Sequence, residues 1–588
     1  MPGITIVDLP VEVLRMIFSY LYRRSLHAVF LTCPLFYAVA AEYFHETLIL
    51  ESDILGINYD PFLSTRLPEE VRKQIRFVKA LRFIPYRGSD KLESRRRNQI
   101  EHLMKLLMKY GNFSFERLQS ISFSSPDIFN VRNGFIPDIV NQFPQTNQLS
   151  IPYTINSITD PEHPHKRIIL TRLRDFSFDV SWPEQNGDIS RVDLSLMWDL
   201  INTNARTLEC LRIGFGRWDP NTHKNLNRDY SDGSRGYLAG GLHLVKAKLY
   251  QFLEHLAGPG TPTYRPQNLI SPILRPFFPM IQSQWPEQLS LKVLQMEMFP
   301  FCSYRVIYRN TNFLRPEILE VLSLVYCSNS FTMVLGLSRA LVSLRCLQVV
   351  EAVDYIENLE KALLQLPRPL EALFVAMGAG FRGFDYNCLA HHQESLKVLY
   401  LWNPPGYGAF TGEKICQDSE SKYGRVGRVH DFSSWPGLEE LAIHEGNRDL
   451  SDLFFPPSLK FLNLINTTIV YKSHVSSNDP LTTTYKSRLL NGITKQIAQA
   501  GRYETNLEAI AVSCTRVKGG VLPLASFRPI ITMAVKIEEN ASMRDRDQNL
   551  EGRVAIEMLE LEQFVRRFPE MSTLQLDCKP CGWIDRFL

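Results

Sequence analysis

The sequence has no run of 18 consecutive apolar residues, the length a helix needs to cross the hydrocarbon core of a bilayer. Its opening, MPGITIVDLP, has no basic stretch ahead of an apolar run, so no secretory signal is expected. Ten cysteines are scattered over 588 residues rather than packed into the dense framework of a small secreted domain. A reducing compartment, cytoplasm or nucleus, is therefore expected. Neither sign of charge dominates: the formal net charge is +3 and the pI is near 8.2, which points to neither a nucleic acid nor a membrane as partner. Gly-rich phosphate loops of the P-loop or dinucleotide type are missing, and so is the GxSxG elbow. The one CxxC, Cys578-x-x-Cys581, has no helix after it to lower a thiol pKa, and no second pair to complete a zinc set. His391 and His392 are adjacent and so diverge on a strand or a helix; they read as a polar turn, not a metal site. No catalytic residue, metal or cofactor is expected. An enzyme would need groups brought together from distant parts of the chain.

What is present is a hydrophobic content of 45% with 22% charged residues, ordinary for a folded protein, in two distinct patterns. The first spans residues 8–50. After Leu9-Pro10, apolar residues at Val13, Leu14, Ile17, Phe18 and Leu21 predict an amphipathic helix of about three turns, with Asp8 as its N-cap and Pro10 at its first position. Ser25 is placed to cap a second helix carrying Leu26, Val29 and Leu31. Pro34 is placed to start a third with Leu35, Phe36, Val39, Ala40 and Phe44. So few residues bury little surface alone, and the stripe asks for a partner.

The ordered series Leu9-Pro10-x-Glu12, Ile17, Leu21, Leu26, Val29, Cys33, Phe36 and Ala40 resembles the F-box family. It covers under a tenth of the chain, and Pro34 departs from the basic or polar residue more usual there. The resemblance implies docking on a Skp-family adaptor, and through it a cullin. Adaptor contacts are expected from Leu9, Pro10, Val13, Ile17, Leu21, Leu26 and Val29.

The second pattern is a hexamer, apolar-x-x-apolar-x-apolar. It occurs at Leu118, Leu173 and Leu208, then at Leu291, Leu319, Leu344, Leu370 and Leu396, whose spacings are 28, 25, 26 and 26 residues. Leu438, Leu459, Leu507 and Met571 extend the series. A period of 20–29 residues with strand alternation inside the hexamer resembles the leucine-rich repeat. The expected fold is an α/β solenoid: an N-terminal three-helix F-box over 1–50, a linker and capping region over 51–114, and an irregular leucine-rich-repeat horseshoe over 115–588. Only Cys327 matches the Asn or Cys the family carries after the hexamer, so irregular turns are expected. Val78-x-x-Leu81-x-Phe83 is a candidate capping strand. Helices are expected over 93–110, 192–205, 355–366 and 556–568. The cluster Arg95-Arg96-Arg97 reads as a solvated helix face rather than a nuclear-import signal. Insertions near 216–290 and 403–435 break the period.

In a strand x-Leu-x-Leu-x the x positions face away from the leucine core. Phe374, Tyr400 and Trp402 fall on that face in consecutive repeats, with Glu440 and His444 beyond them. These five are the candidate contacts for a protein substrate, unless the 403–435 insertion folds over them. Together the two resemblances imply a substrate-recognition subunit of a Skp–cullin–F-box ubiquitin ligase, a tether and not a catalyst. A scaffold of the same fold without ligase function is the alternative, and an enzyme with a site in the insertions a third.

Overall fold

The computed structural model describes residues 6–51, 76–84, 115–123, 139–154, 168–181, 200–215, 288–297, 314–352, 356–377, 385–402, 432–444, 455–466, 506–515, 527–537, 554–559 and 563–568, apart from 20, 22, 326, 328, 329, 565 and 566. The expected helix over 93–110, the Met571 hexamer, Cys578, Cys581 and nearly all of both insertions lie outside them. Two compact units divide the chain: residues 1–217 with 272–290, and residues 218–271 with 291–588.

The first unit opens with helices α1 (Val11–Ser19), α2 (Arg23–Phe30) and α3 (Pro34–Phe44). Pro34 begins α3 as expected. Cys33 is its N-cap, and the Cys33 Sγ accepts the Phe36 N–H at 3.5 Å. Two expected starts are corrected. Asp8 lies in a 3-10 turn, while the Pro10 carbonyl accepts the Leu14 N–H at 3.0 Å, so α1 begins after the proline. Helix α2 begins two residues before Ser25.

Only His45 and Glu46 separate α3 from β1 (Thr47–Glu51), a strand the hexamer search missed. It pairs in parallel with β2 (Ala80–Ile84), the capping strand expected from Val78. Strands β3 (Ser120–Phe123), β4 (Gln148–Thr154), β5 (Asp175–Ser181) and β6 (Cys210–Phe215) follow in the same parallel sheet. Strand β4 also escaped the search because its leading position is Thr146, which is buried as fully as the leucines around it.

The second unit continues one parallel strand per period: β7 (Val293–Glu297), β8 (Val321–Val325), β9 (Cys346–Ala352), β10 (Ala372–Met377), β11 (Val398–Trp402), β12 (Glu440–His444), β13 (Phe461–Asn466) and β14 (Ala509–Thr515). Helix α4 (Ser330–Leu337) crosses from β8 to β9, and α5 (Ile356–Gln365), expected from its spacing, crosses from β9 to β10. The end differs from expectation. Of the helix expected over 556–568, residues 556–559 belong to strand β16 (Val554–Leu559) while 563, 564 and 567 are helical, and β14, β15 (Phe527–Ile537) and β16 pair antiparallel. The segment VAIEML alternates as well as it spirals, and neighbouring β15 supplies the ladder that decides the matter.

Each hexamer does the same work. Its three apolar side chains are buried, as in Leu370, Leu373 and Val375. The carbonyl of its second residue accepts two N–H groups from the next rung: Glu320 N and Val321 N on Lys292 O, Arg345 N and Cys346 N on Glu320 O, Glu371 N and Ala372 N on Arg345 O, all at 2.8–3.1 Å. At several rungs the residue before the leading leucine is hydroxylated. Thr207, Ser395 and Ser458 each donate to the leading carbonyl of the rung before, Leu173, Leu370 and Leu438, at 2.8 Å. At Gly437 the same position lies so close to the previous rung that a Cβ would sit 3.0 Å from the Glu394 carbonyl oxygen.

Four residues before the leading leucine, Asn204 is buried and fully bonded. Its Nδ2 donates to the Leu170 and Leu200 carbonyls at 2.8 Å, and its Oδ1 accepts the Leu173 N–H at 2.9 Å. Replacing it with alanine strands a buried N–H and a carbonyl. We expect Asn204→Ala to cost about 3 kcal/mol in urea unfolding, and Asn204→Asp to cost less at a pH where the acid is protonated.

Candidate functional site

The three N-terminal helices enclose a small core of Leu14, Phe18, Leu26, Phe36, Val39 and Ala40. Phe18 meets Phe36 edge-on with ring centroids 5.3 Å apart. Phe30 packs on Tyr37 at 4.3 Å and on Phe44 at 5.5 Å, and His27 on Phe44 at 5.6 Å. Of the seven expected adaptor contacts, Leu26 belongs to this interior, at 5% exposure, and has no surface to offer as the helices stand. Leu9, Val13, Ile17, Leu21 and Val29 are half-buried; all but Val13 pack on the core as its rim. Pro10 is exposed.

More telling are apolar residues outside the seven expected contacts. Ile6, Val7, Val11, Met16, Leu31, Leu35 and Tyr37 are exposed, Met16 at 58% and Leu31 at 68%. They are seven of the ten exposed large hydrophobic residues among those described, gathered within residues 6–37. Scattered single exposures need no explanation, but a concentration of this kind marks a surface made to be covered. The signal was in the sequence: α1, VEVLRMIFS, is apolar on more of its circumference than one core face can use.

A cleft of about 220 Å³ lies where α1 turns into α2, lined by Phe18, Ser19, Leu21, Leu26, Tyr43, Phe44, Glu46 and Thr47. Beside it the helices are tied to the sheet. Glu42 of α3 accepts from Arg117 Nη1 at 2.8 Å and lies 3.8 Å from Arg15 Nε of α1. Glu46 pairs with Lys79 at 3.2 Å, and the Glu46 carbonyl accepts the Lys79 and Ala80 N–H groups.

Residues 6–49 match the F-box-like family model. No curated protein matches the chain. The F-box-like domain thus coincides with the three helices and the strand that follows them.

The candidate substrate face in the second unit is less open than expected. Phe374 and Tyr400 are register partners and stack with centroids 6.0 Å apart and planes 24° from parallel. Both are buried, and so is Glu440. The same row of the sheet continues through Gln348, Ser323 and Gln295, also buried, with Ser323 Oγ donating to Gln348 Oε1 at 2.6 Å. Phe374 and Tyr400 are thus covered by the chain itself, one of the two outcomes that the sequence left open. Trp402 pairs with Ala376, and His444 with Ile465; their side chains lie outside the described ones. The equivalent row in the first unit is more open. Arg82 is exposed, Ser122, Ser150 and Ser177 are half-buried, and Arg212 is held by Asp175 at 2.9 Å.

No group of three His, Cys, Asp or Glu is arranged to hold a metal among the described residues, nor is any described helix long and apolar enough to cross a membrane. His392 is instead a structural counterpart of Asn204, four residues before Leu396. Its Nδ1 accepts the Leu370 N–H at 3.0 Å, so its Nε2 carries the proton and donates to the Leu363 carbonyl at 3.1 Å. Both nitrogens are engaged, and burial lowers its pKa from 6.5 to about 4. Between pH 6.5 and 4 the unfolded chain takes up this proton and the folded chain does not. This contribution to stability is therefore complete above pH 6.5 and lost as pH falls towards 4, by on the order of 3 kcal/mol. We expect His392→Asn to keep an acceptor for Leu370 and to flatten that part of the profile, measured by urea midpoints from pH 7.5 to 4.5.

Proposed function

We propose that this chain is the substrate-recognition subunit of a Skp–cullin–F-box ubiquitin ligase. The observation that carries the reading is the exposed apolar surface concentrated on the F-box-like domain. F-box domains are typical of non-catalytic subunits, and the mechanism is tethering. Each aliphatic side chain that an adaptor fully covers contributes roughly 1.5–3 kcal/mol of gross transfer free energy, so Pro10, Val11 and Met16, with the remaining exposed atoms of Val13 and Ile17, offset a substantial share of the ~4–15 kcal/mol cost of association. Leu9, Leu21 and Val29 contribute their remaining exposed atoms. Leu26 acts from behind, by holding α1 and α2 together.

The two parallel sheets are the repeat domain, a degenerate leucine-rich-repeat solenoid that binds a protein substrate. Holding that substrate near a ubiquitin donor raises its effective concentration, and the chain supplies no nucleophile. Phe374, Tyr400, Trp402, Glu440 and His444 stay the candidate contacts in the second unit, reached once what shields Phe374 and Tyr400 has moved. A scaffold that binds the adaptor without a cullin is the alternative.

Met16→Asp changes a residue already in water and should leave the unfolding midpoint unchanged while lowering adaptor affinity at least tenfold. Ile17→Asp should abolish co-purification of the adaptor. Adaptor recovery at the wild-type level from both variants would overturn the adaptor assignment, and adaptor recovered without cullin would favour the scaffold. The double change Tyr400→Ala and Trp402→Ala should remove substrate capture, read by affinity purification with mass spectrometry, with adaptor binding intact. Unaltered capture by that variant places the substrate elsewhere on the repeats.

A further inference from the structure

The second residue of each hexamer from Leu291 to Leu507, whose backbone joins one rung to its neighbour, also carries a charge. From β7 to β10 these residues are Lys292, Glu320, Arg345 and Glu371. From β11 to β14 they are Lys397, Glu439, Lys460 and Glu508. The sign changes at every step. The doubled backbone bond at each of these residues pins neighbouring members side by side, about one strand spacing (~4.8 Å) apart.

The side chains use that proximity. Arg345 lies 3.7 Å from Glu320 and grips Glu371 with two bonds, Nε to Oε1 at 2.7 Å and Nη2 to Oε2 at 3.1 Å. Glu371 also meets Lys397 at 3.4 Å, and Glu439 meets Lys460 at 2.9 Å. The Arg345 guanidinium holds the Glu371 carboxyl below its ordinary value. No apolar packing demands this order, since these side chains stand at the rim, partly exposed.

We propose that the alternating charges are a register code, which makes each rung of the second unit complementary to a neighbour one rung away and repulsive towards one two rungs away. The hexamers are otherwise nearly interchangeable: LKVLQM, LEVLSL, LEALFV and LKVLYL would bury the same leucines in several orders. A chain that skipped one repeat in folding would form the same backbone bonds and the same apolar contacts, but would set Glu320 beside Glu371, or Arg345 beside Lys397. Like charges at one strand spacing oppose that pairing, and mispaired repeats are a characteristic failure of such arrays.

The test uses the full-length protein and compares three variants by thermal unfolding at 50 and 500 mM NaCl. Arg345→Glu sets three acids in a row and should lower the midpoint by several degrees at low salt, with much of the loss recovered at high salt, where charges are screened. Arg345→Gln removes the bonds without adding a like charge; it should lose less and should not recover with salt. Reversing the sign of all eight residues together preserves alternation and should unfold closer to the wild type than the single Arg345→Glu does. Equal losses for Arg345→Glu and Arg345→Gln with the same salt response would overturn the proposal. So would an eightfold variant that is no more stable than the single reversal or fails to fold.

Discussion

Within each unit a repeat passes one carbonyl oxygen to two N–H groups of the next parallel strand, and the rest of the unit is arranged around that handover. It is a main-chain interaction and so indifferent to side chains, which is why the sequence can drift so far from a regular repeat. What it demands is geometric: the rungs must lie close and in step. A hydroxylated residue before the leading leucine meets the first demand at Leu208, Leu396 and Leu459, and Gly437 does so before Leu438. Asn204 and His392 meet the second by bonding one rung's side chain to the backbone of the rung before.

The leading leucines from Leu291 to Leu507 were legible because apolar spacing and burial have the same cause in a strand packed on both sides. Thr146 hid β4, since a hydroxyl can sit in a buried slot that a hydropathy pattern reads as empty. The start of the helix expected over 556–568 lies in β16 for another reason: VAIEML satisfies helical and strand periods equally, and its antiparallel neighbour β15 decides between them. His392 was recognised as lying in a turn, but adjacency to His391 said nothing of the two backbone groups it serves. The sign alternation is written in the hexamers, at positions between the apolar ones that a hydropathy pattern does not weigh.

The apolar surfaces divide in the same way. The spacing that located α1 and α2 identifies what these helices share with each other, and Leu26 is the clearest instance. What they leave exposed lies outside the expected contacts, in Met16, Leu31 and their neighbours. The aromatic pair Phe374 and Tyr400 shows the converse. Strand alternation placed both on the side opposite the leucines, but burial there depends on other parts of the chain.

The passage from α3 to β1 takes two residues, one of which, Glu46, already belongs to the first handover. A hinge needs bonds free to rotate, and this junction has spent its own on an ion pair and a shared carbonyl. Whatever seats itself on the F-box-like helices therefore takes its compass bearing from strands β1 to β6, as a bracket does from the wall to which it is bolted.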